Sequence, residues 1–76
     1  MASSEGHRII CRLDELLKSR SMTMTQLSRT TGITMANLSI LKTGKAKAVR
    51  FSTLTLICEA LDCEAGQLLQ LDRAAP

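Results

Sequence analysis

Two threonines, Thr23 and Thr34, each stand just before a short run of helix-compatible residues, and one glycine, Gly32, lies between the runs. This arrangement leaves the chain little freedom. Thr23 is followed three residues later by Gln26, the spacing at which a cap hydroxyl accepts from the third helical amide while the Gln side chain accepts from the cap's own N–H. A helix is therefore predicted to begin at about Met24, with Met22 and Leu27 as a hydrophobic staple across its first turn. Gly32 ends that helix, because a left-handed residue is easiest without a Cβ. Thr34 caps a second helix, with Ile33 and Leu38 as its staple. Two helices and a glycine turn within about twenty residues form the compact helix-turn-helix pattern.

The apolar residues agree with the caps. Leu27, Ile33, Leu38 and Leu41 are spaced to close on one another across the turn, which leaves Met35, Ala36, Ser39, Ile40 and Thr43 on the outer face of the second helix. The chain has 76 residues, one Phe and no Trp or Tyr, so it is read as a single domain whose small core must come from Leu, Ile, Met, Ala and Cys. No stretch alternates with period two over six residues, and the one Pro is terminal. The expected fold class is all-α.

Outside the motif, residues 1–6 are small and polar and are expected to be a disordered tail. A first helix is predicted from His7 to about Arg20, on the spacing of Ile9, Ile10, Leu13, Leu16 and Leu17. Residues 42–50 hold four cations and read as a basic loop. Ser52 is expected to cap a fourth helix, with Phe51 and Leu56 as its staple and Leu54, Ile57, Cys58 and Leu61 as its inward stripe. After a break at residues 62–66, a terminal helical turn is predicted over 67–71. Residues 72–76 should fray, which leaves 7–71 as the domain.

The run Leu27-Ser28, Gly32-Ile33-Thr34, Leu38-Ser39, Leu41-Lys42 and Thr43-Gly44 resembles the phage Cro/cI-repressor (XRE-type) helix-turn-helix family, in particular its short single-domain bacterial members. The likeness continues through Phe51-Ser52-Thr53-Leu54, Ile57-Cys58, Ala60-Leu61-Asp62-Cys63 and Gly66 to Leu68-Leu69. It implies a compact five-helix, lambda-repressor-like DNA-binding domain that acts as a small transcriptional regulator, a repressor. Carried over position by position, Thr34, Met35, Ala36, Asn37, Ser39 and Ile40 take the places that face base edges in the major groove. The Asn37 amide can pair bidentately with adenine, whereas Met35, Ala36 and Ile40 can only touch thymine methyls. Met35 and Ile40 are apolar where the family is more often polar. They leave open a second reading, a protein-interaction module of antitoxin-like or polymerase-binding type.

Charge follows the motif. Residues 1–50 hold nine Lys or Arg against three acids, and residues 51–76 hold one against four. The basic half thus suits a polyanionic partner, double-stranded DNA. Arg29, Lys42, Lys45, Lys47 and Arg50, with the Thr43 hydroxyl, are the expected phosphate contacts, which give affinity and register but no sequence information. A homodimer is expected, because one module of this size covers little DNA and two-fold pairing supplies the rest. Ile9, Leu16, Leu69 and Leu71 are the apolar residues available for it.

Other function classes find little in the sequence. His7 is the sole histidine, there is no glycine-rich phosphate loop, and no carboxylates cluster, so no enzyme is expected. Cys11, Cys58 and Cys63 match no zinc spacing, with or without His7, and read as packing residues; neither metal nor cofactor is expected. No apolar run is long enough to span a membrane. The odd cysteine number without a C-x-x-C pair points to a reduced, cytoplasmic setting.

Overall fold

The computed structural model describes residues 6–73. Residues 1–5 and 74–76, which make up most of the expected tail and frayed end, lie outside the described residues. Within them the chain forms, in order, β1 (Ile9–Cys11), α1 (Leu13–Ser19), α2 (Met24–Thr31), α3 (Met35–Lys42), α4 (Phe51–Leu61), α5 (Ala65–Leu68) and β2 (Leu69–Leu71).

The five expected helices are present, but the fold is helical rather than strictly all-α. The predicted first helix begins too early. Ile9–Cys11 pair antiparallel with Leu69–Leu71, with Ile9 opposite Leu71, Ile10 opposite Gln70 and Cys11 opposite Leu69. Two consecutive isoleucines favour extended backbone, because a β-branched side chain is stiff at χ1 and packs well on a pleat. The terminal helical turn, expected over 67–71 after a break at 62–66, lies earlier at Ala65–Leu68, and β2 takes over from Leu69. The ladder runs one residue past each strand: Arg12 N–H donates to Leu68 O at 2.7 Å, and Asp72 N–H to Arg8 O at 2.7 Å. Asp72, which the sequence places in the frayed end, is 6% exposed.

Helix α1 is oriented to its own dipole, with Asp14 and Glu15 in its first turn and Lys18 in its last. Helix α4 departs from expectation at its start. It begins at Phe51 with Arg50 in the cap position and no side-chain cap, so Ser52 lies inside the first turn and caps nothing. The expected staple is also missing, since Phe51 is 86% exposed and Leu56 is exposed too. A serine near a helix start caps only if its backbone is extended, and here Arg50 holds the extended conformation instead.

The core consists of Leu13, Leu17, Leu27, Leu38, Ile57, Leu61 and Leu68, with Leu41, Leu54 and Cys58 packed against it. Every helix therefore contributes at least one fully buried aliphatic side chain. Helix α2 packs on both α3 and α4, and α3 also touches α1. The second motif helix is thus supported from behind, and its outer face is left to solvent.

Candidate nucleic-acid interface

The outer face of α3 is positioned by two caps and a pinned turn. Gln26 N–H donates to Thr23 Oγ1 at 3.1 Å and Thr23 N–H donates to Gln26 Oε1 at 2.8 Å, which completes the expected capping box. Gly32 takes the left-handed conformation at φ 77° and its N–H returns to Ser28 O at 2.8 Å. Two side chains of α2 then hold the turn: Ser28 Oγ donates to Ile33 O at 2.6 Å, and the Thr31 hydroxyl accepts from Ile33 N–H at 3.2 Å. Thr34 caps α3 by accepting from Asn37 N–H at 3.2 Å. With Leu27 and Leu38 both fully buried, the angle between the two helices is set from inside the motif.

The six residues expected to face the groove, Thr34, Met35, Ala36, Asn37, Ser39 and Ile40, are all exposed. Met35 and Ile40 stand out as apolar side chains at 45% and 44% exposure. The Asn37 side-chain amide makes no hydrogen bond among the described residues, so both its donor and its acceptor are available. Asn37 and Ile40 share a concavity of about 430 Å³ with Ala46, Ala48, Arg50 and Thr53. The fold therefore sets the outer face of α3 beside the basic loop.

That loop, residues 43–50, leaves α3 through Gly44, again left-handed at φ 77°. It is fastened from the far end of the domain. Ile9 N–H donates to His7 Nδ1 at 3.0 Å, which assigns the ring proton to Nε2, and Nε2–H then donates to Ala46 O at 3.2 Å. A cavity of about 200 Å³, bounded by Ile9, Cys11, Leu41, Val49 and Leu69, lies beneath it.

Residues 12–73 match the Cro/C1-type HTH DNA-binding domain. The chain belongs to that family. It is also 58% identical over 62 residues to a Bacillus subtilis protein named as the uncharacterized HTH-type transcriptional regulator YozG, an alignment that covers 82% of this chain and 74% of the relative. No solved structure matches.

Within this Cro/C1-type domain the expected phosphate contacts divide. Arg29, Lys45 and Arg50 are exposed, and their side chains make no ion pair or hydrogen bond among the described residues. Lys47 is exposed on the same loop. Lys42 is drawn the other way, with Nζ 3.6 Å from Asp14 Oδ1 on α1. An exposed pair of this kind is worth at most about 1 kcal/mol and can be given up to a stronger anion. The Thr43 hydroxyl donates to Ser39 O at 2.9 Å and keeps only its lone pairs for other partners. Helices α2, α3 and α4 carry no acidic residue in their first turns, unlike α1. Their positive dipole ends are consequently not neutralised from within, which suits helices that face an anion.

Three contributors escape a reading of the sequence. His7 fastens the basic loop, Asp14 takes Lys42, and Thr53 joins the wall beside Arg50. His7 and Asp14 act on residues far along the chain, and Thr53 meets Asn37 and Ile40 only across the concavity, so no local spacing signals them. Among the described residues, no three His, Cys, Asp or Glu side chains could hold a metal ion, and no helix is long and apolar enough to cross a membrane.

Proposed function

We propose that this protein is a small transcriptional repressor that binds double-stranded DNA sequence-specifically, as a homodimer in the cytoplasm, with α3 in the major groove. Thr34, Met35, Ala36, Asn37, Ser39 and Ile40 face base edges. Asn37 supplies the discriminating hydrogen bonds, and the three apolar side chains contact thymine methyls. Arg29, Lys45, Lys47 and Arg50 grip phosphates on either side, with Lys42 and Thr43 as weaker contacts at the end of α3. Residues 7–71 are the unit that does this. Repression then needs nothing beyond occupancy of a site that polymerase must use.

One observation carries the reading: the exposed face of α3, with an unpaired side-chain amide at Asn37, stands with three exposed cations, Arg29, Lys45 and Arg50, whose side chains make no ion pair or hydrogen bond among the described residues, in a chain of the Cro/C1-type family. For the dimer, the support is narrower than the sequence suggested. Leu16 and Leu69 pack partly into the core, while Ile9 and Leu71, opposite each other in the sheet, remain exposed. These two are the residues assigned to pairing.

Selection from random double-stranded DNA at low salt, followed by sequencing, tests the reading. It predicts an enriched, near-palindromic motif with half-sites one helical turn apart. Binding that enriches nothing and disappears at moderate salt would overturn it. The exposure of Met35 and Ile40 favours the second reading, a protein partner docked on α3. In that case Met35→Ala with Ile40→Ala abolishes function while Lys45→Ala and Lys47→Ala leave it intact.

A further inference from the structure

Helices α1 and α4 end in the same way. A left-handed residue, Ser21 at φ 54° or Asp62 at φ 50°, reverses the chain. The next N–H then returns to the carbonyl five positions back: Met22 to Leu17 O at 2.9 Å, and Cys63 to Cys58 O at 3.0 Å. A second bond closes each turn, from Ser21 to Lys18 O at 3.1 Å and from Asp62 to Glu59 O at 3.4 Å. This double closure is the Schellman motif, and it sets the side chains at its two ends against each other, usually as an apolar pair. In α1 the pair is Leu17 and Met22, both in or against the core. In α4 the two places hold cysteines.

The consequences are chemical. Cys58 and Cys63 are both free thiols and both half-buried. They line one open concavity with Leu54, Thr55, Asp62 and Ala65, so a small solute reaches them from the same side. Arg20 braces the turn from α1, with Nε donating to Leu61 O at 2.6 Å and Nη2 to Asp62 O at 3.0 Å. Burial first, and then the neighbouring Cys58 through its charge and a thiol–thiol hydrogen bond, raise Cys63 to about 11. Cys63 therefore keeps its proton at neutral pH. Cys11 is placed differently, on the wall of the cavity under the basic loop, where burial raises its pKa.

We propose that Cys58 and Cys63 form a redox site that small hydroperoxides oxidise to an intramolecular disulfide. The Cys58 sulfur attacks one peroxide oxygen and gives up its thiol proton, the O–O bond breaks, and the other oxygen leaves and takes up a proton as water or an alcohol. Cys58 is then a sulfenic acid. The Cys63 sulfur attacks the Cys58 sulfur, the S–O bond breaks, and the hydroxyl departs as water with the proton that Cys63 gives up. Two thiols lose two protons and two electrons in total, and one peroxide takes them up. A disulfide needs its Cβ atoms about 3.5–4.5 Å apart, and the closure of the turn already sets the two thiols within hydrogen-bonding reach of each other.

Hydrogen peroxide added to the folded full-length protein, followed by alkylation, trypsin and mass spectrometry, tests this site. Cys58 and Cys63 fall in one tryptic peptide, residues 51–73, and Cys11 falls in another, residues 9–12. The peptide 51–73 is expected to lose two hydrogens and to resist alkylation while 9–12 is still alkylated, and dithiothreitol reverses the change. In Cys63→Ser the oxidation stops at a Cys58 sulfenic acid, which dimedone traps. Unfolding in urea abolishes the preference over Cys11. A disulfide that joins 51–73 to 9–12, one that joins two chains, or two Cys58 and Cys63 thiols that stay alkylatable after Cys11 has been oxidised would each overturn the proposal.

Discussion

The α2–turn–α3 unit and the loop that follows it lie side by side, yet they are held in opposite ways. Each motif helix carries its own cap, at Thr23 and Thr34, and the turn between them is pinned by Ser28 and Thr31, all within a few residues of what they hold. The loop from Thr43 to Arg50 leads into a helix with no side-chain cap, rests over a cavity of about 200 Å³, and is fastened by His7 from 39 residues away. The first region is rigid because its bonds are local and its core residues, Leu27 and Leu38, are fully buried. The second depends on the rest of the fold. Under the proposed function, a firmly held reading helix beside a more loosely held cationic arm would divide the work of recognition, since base contacts need fixed geometry while phosphate contacts tolerate motion.

The largest effect should come from breaking the rigid side. Leu38→Ala removes a fully buried side chain behind α3 and is expected to cost about 3 kcal/mol or more in urea unfolding. Cap removal comes next. Thr23→Ala and Thr34→Ala should each cost about 1 kcal/mol, whereas Ser52→Ala, in a helix that it does not cap, should stay within about 0.5 kcal/mol. Equal losses at all three would erase the contrast. His7→Ala sharpens it from the other side, because losing the Ala46 tether should cost at most about 1 kcal/mol in stability yet lower DNA affinity, as read by fluorescence anisotropy, by freeing the loop.

The smallest effect concerns the end of α4. Cys63 is raised from 9.0 to about 11, so between those pH values the folded chain holds a proton that the unfolded chain has released. Unfolding free energy should therefore fall as pH rises from about 9 to about 11, and Cys63→Ser should flatten that decline in a pH series of denaturant melts.

The same contrast explains what could be read from the chain. Both caps, the left-handed Gly32, the buried faces of α2, α3 and α4, and the exposed row from Thr34 to Ile40 follow from residues within four or five positions of one another. Ile9 and Ile10 fit a helical stripe equally well, and only Leu69–Leu71, at the other end of the chain, makes them a strand. Ser52 has the right chemistry for a cap, but its place is settled by the backbone at Arg50. Lys42 reads as one cation among several until Asp14 is seen beside it. The cysteines were legible only as packing residues, because their meeting depends on the left-handed turn at Asp62.

The central claim, that α3 reads bases while the loop grips phosphates, is tested most directly by the salt dependence of binding to the selected site. Affinity should fall with salt at a slope of about −0.9 per phosphate contacted. Lys45→Ala with Arg50→Ala should flatten that slope by roughly two and leave base preference unchanged, and Asn37→Ala should relax preference at one position and keep the slope. An unchanged slope in the loop variant, or a uniform loss over all sequences in Asn37→Ala, would contradict the account.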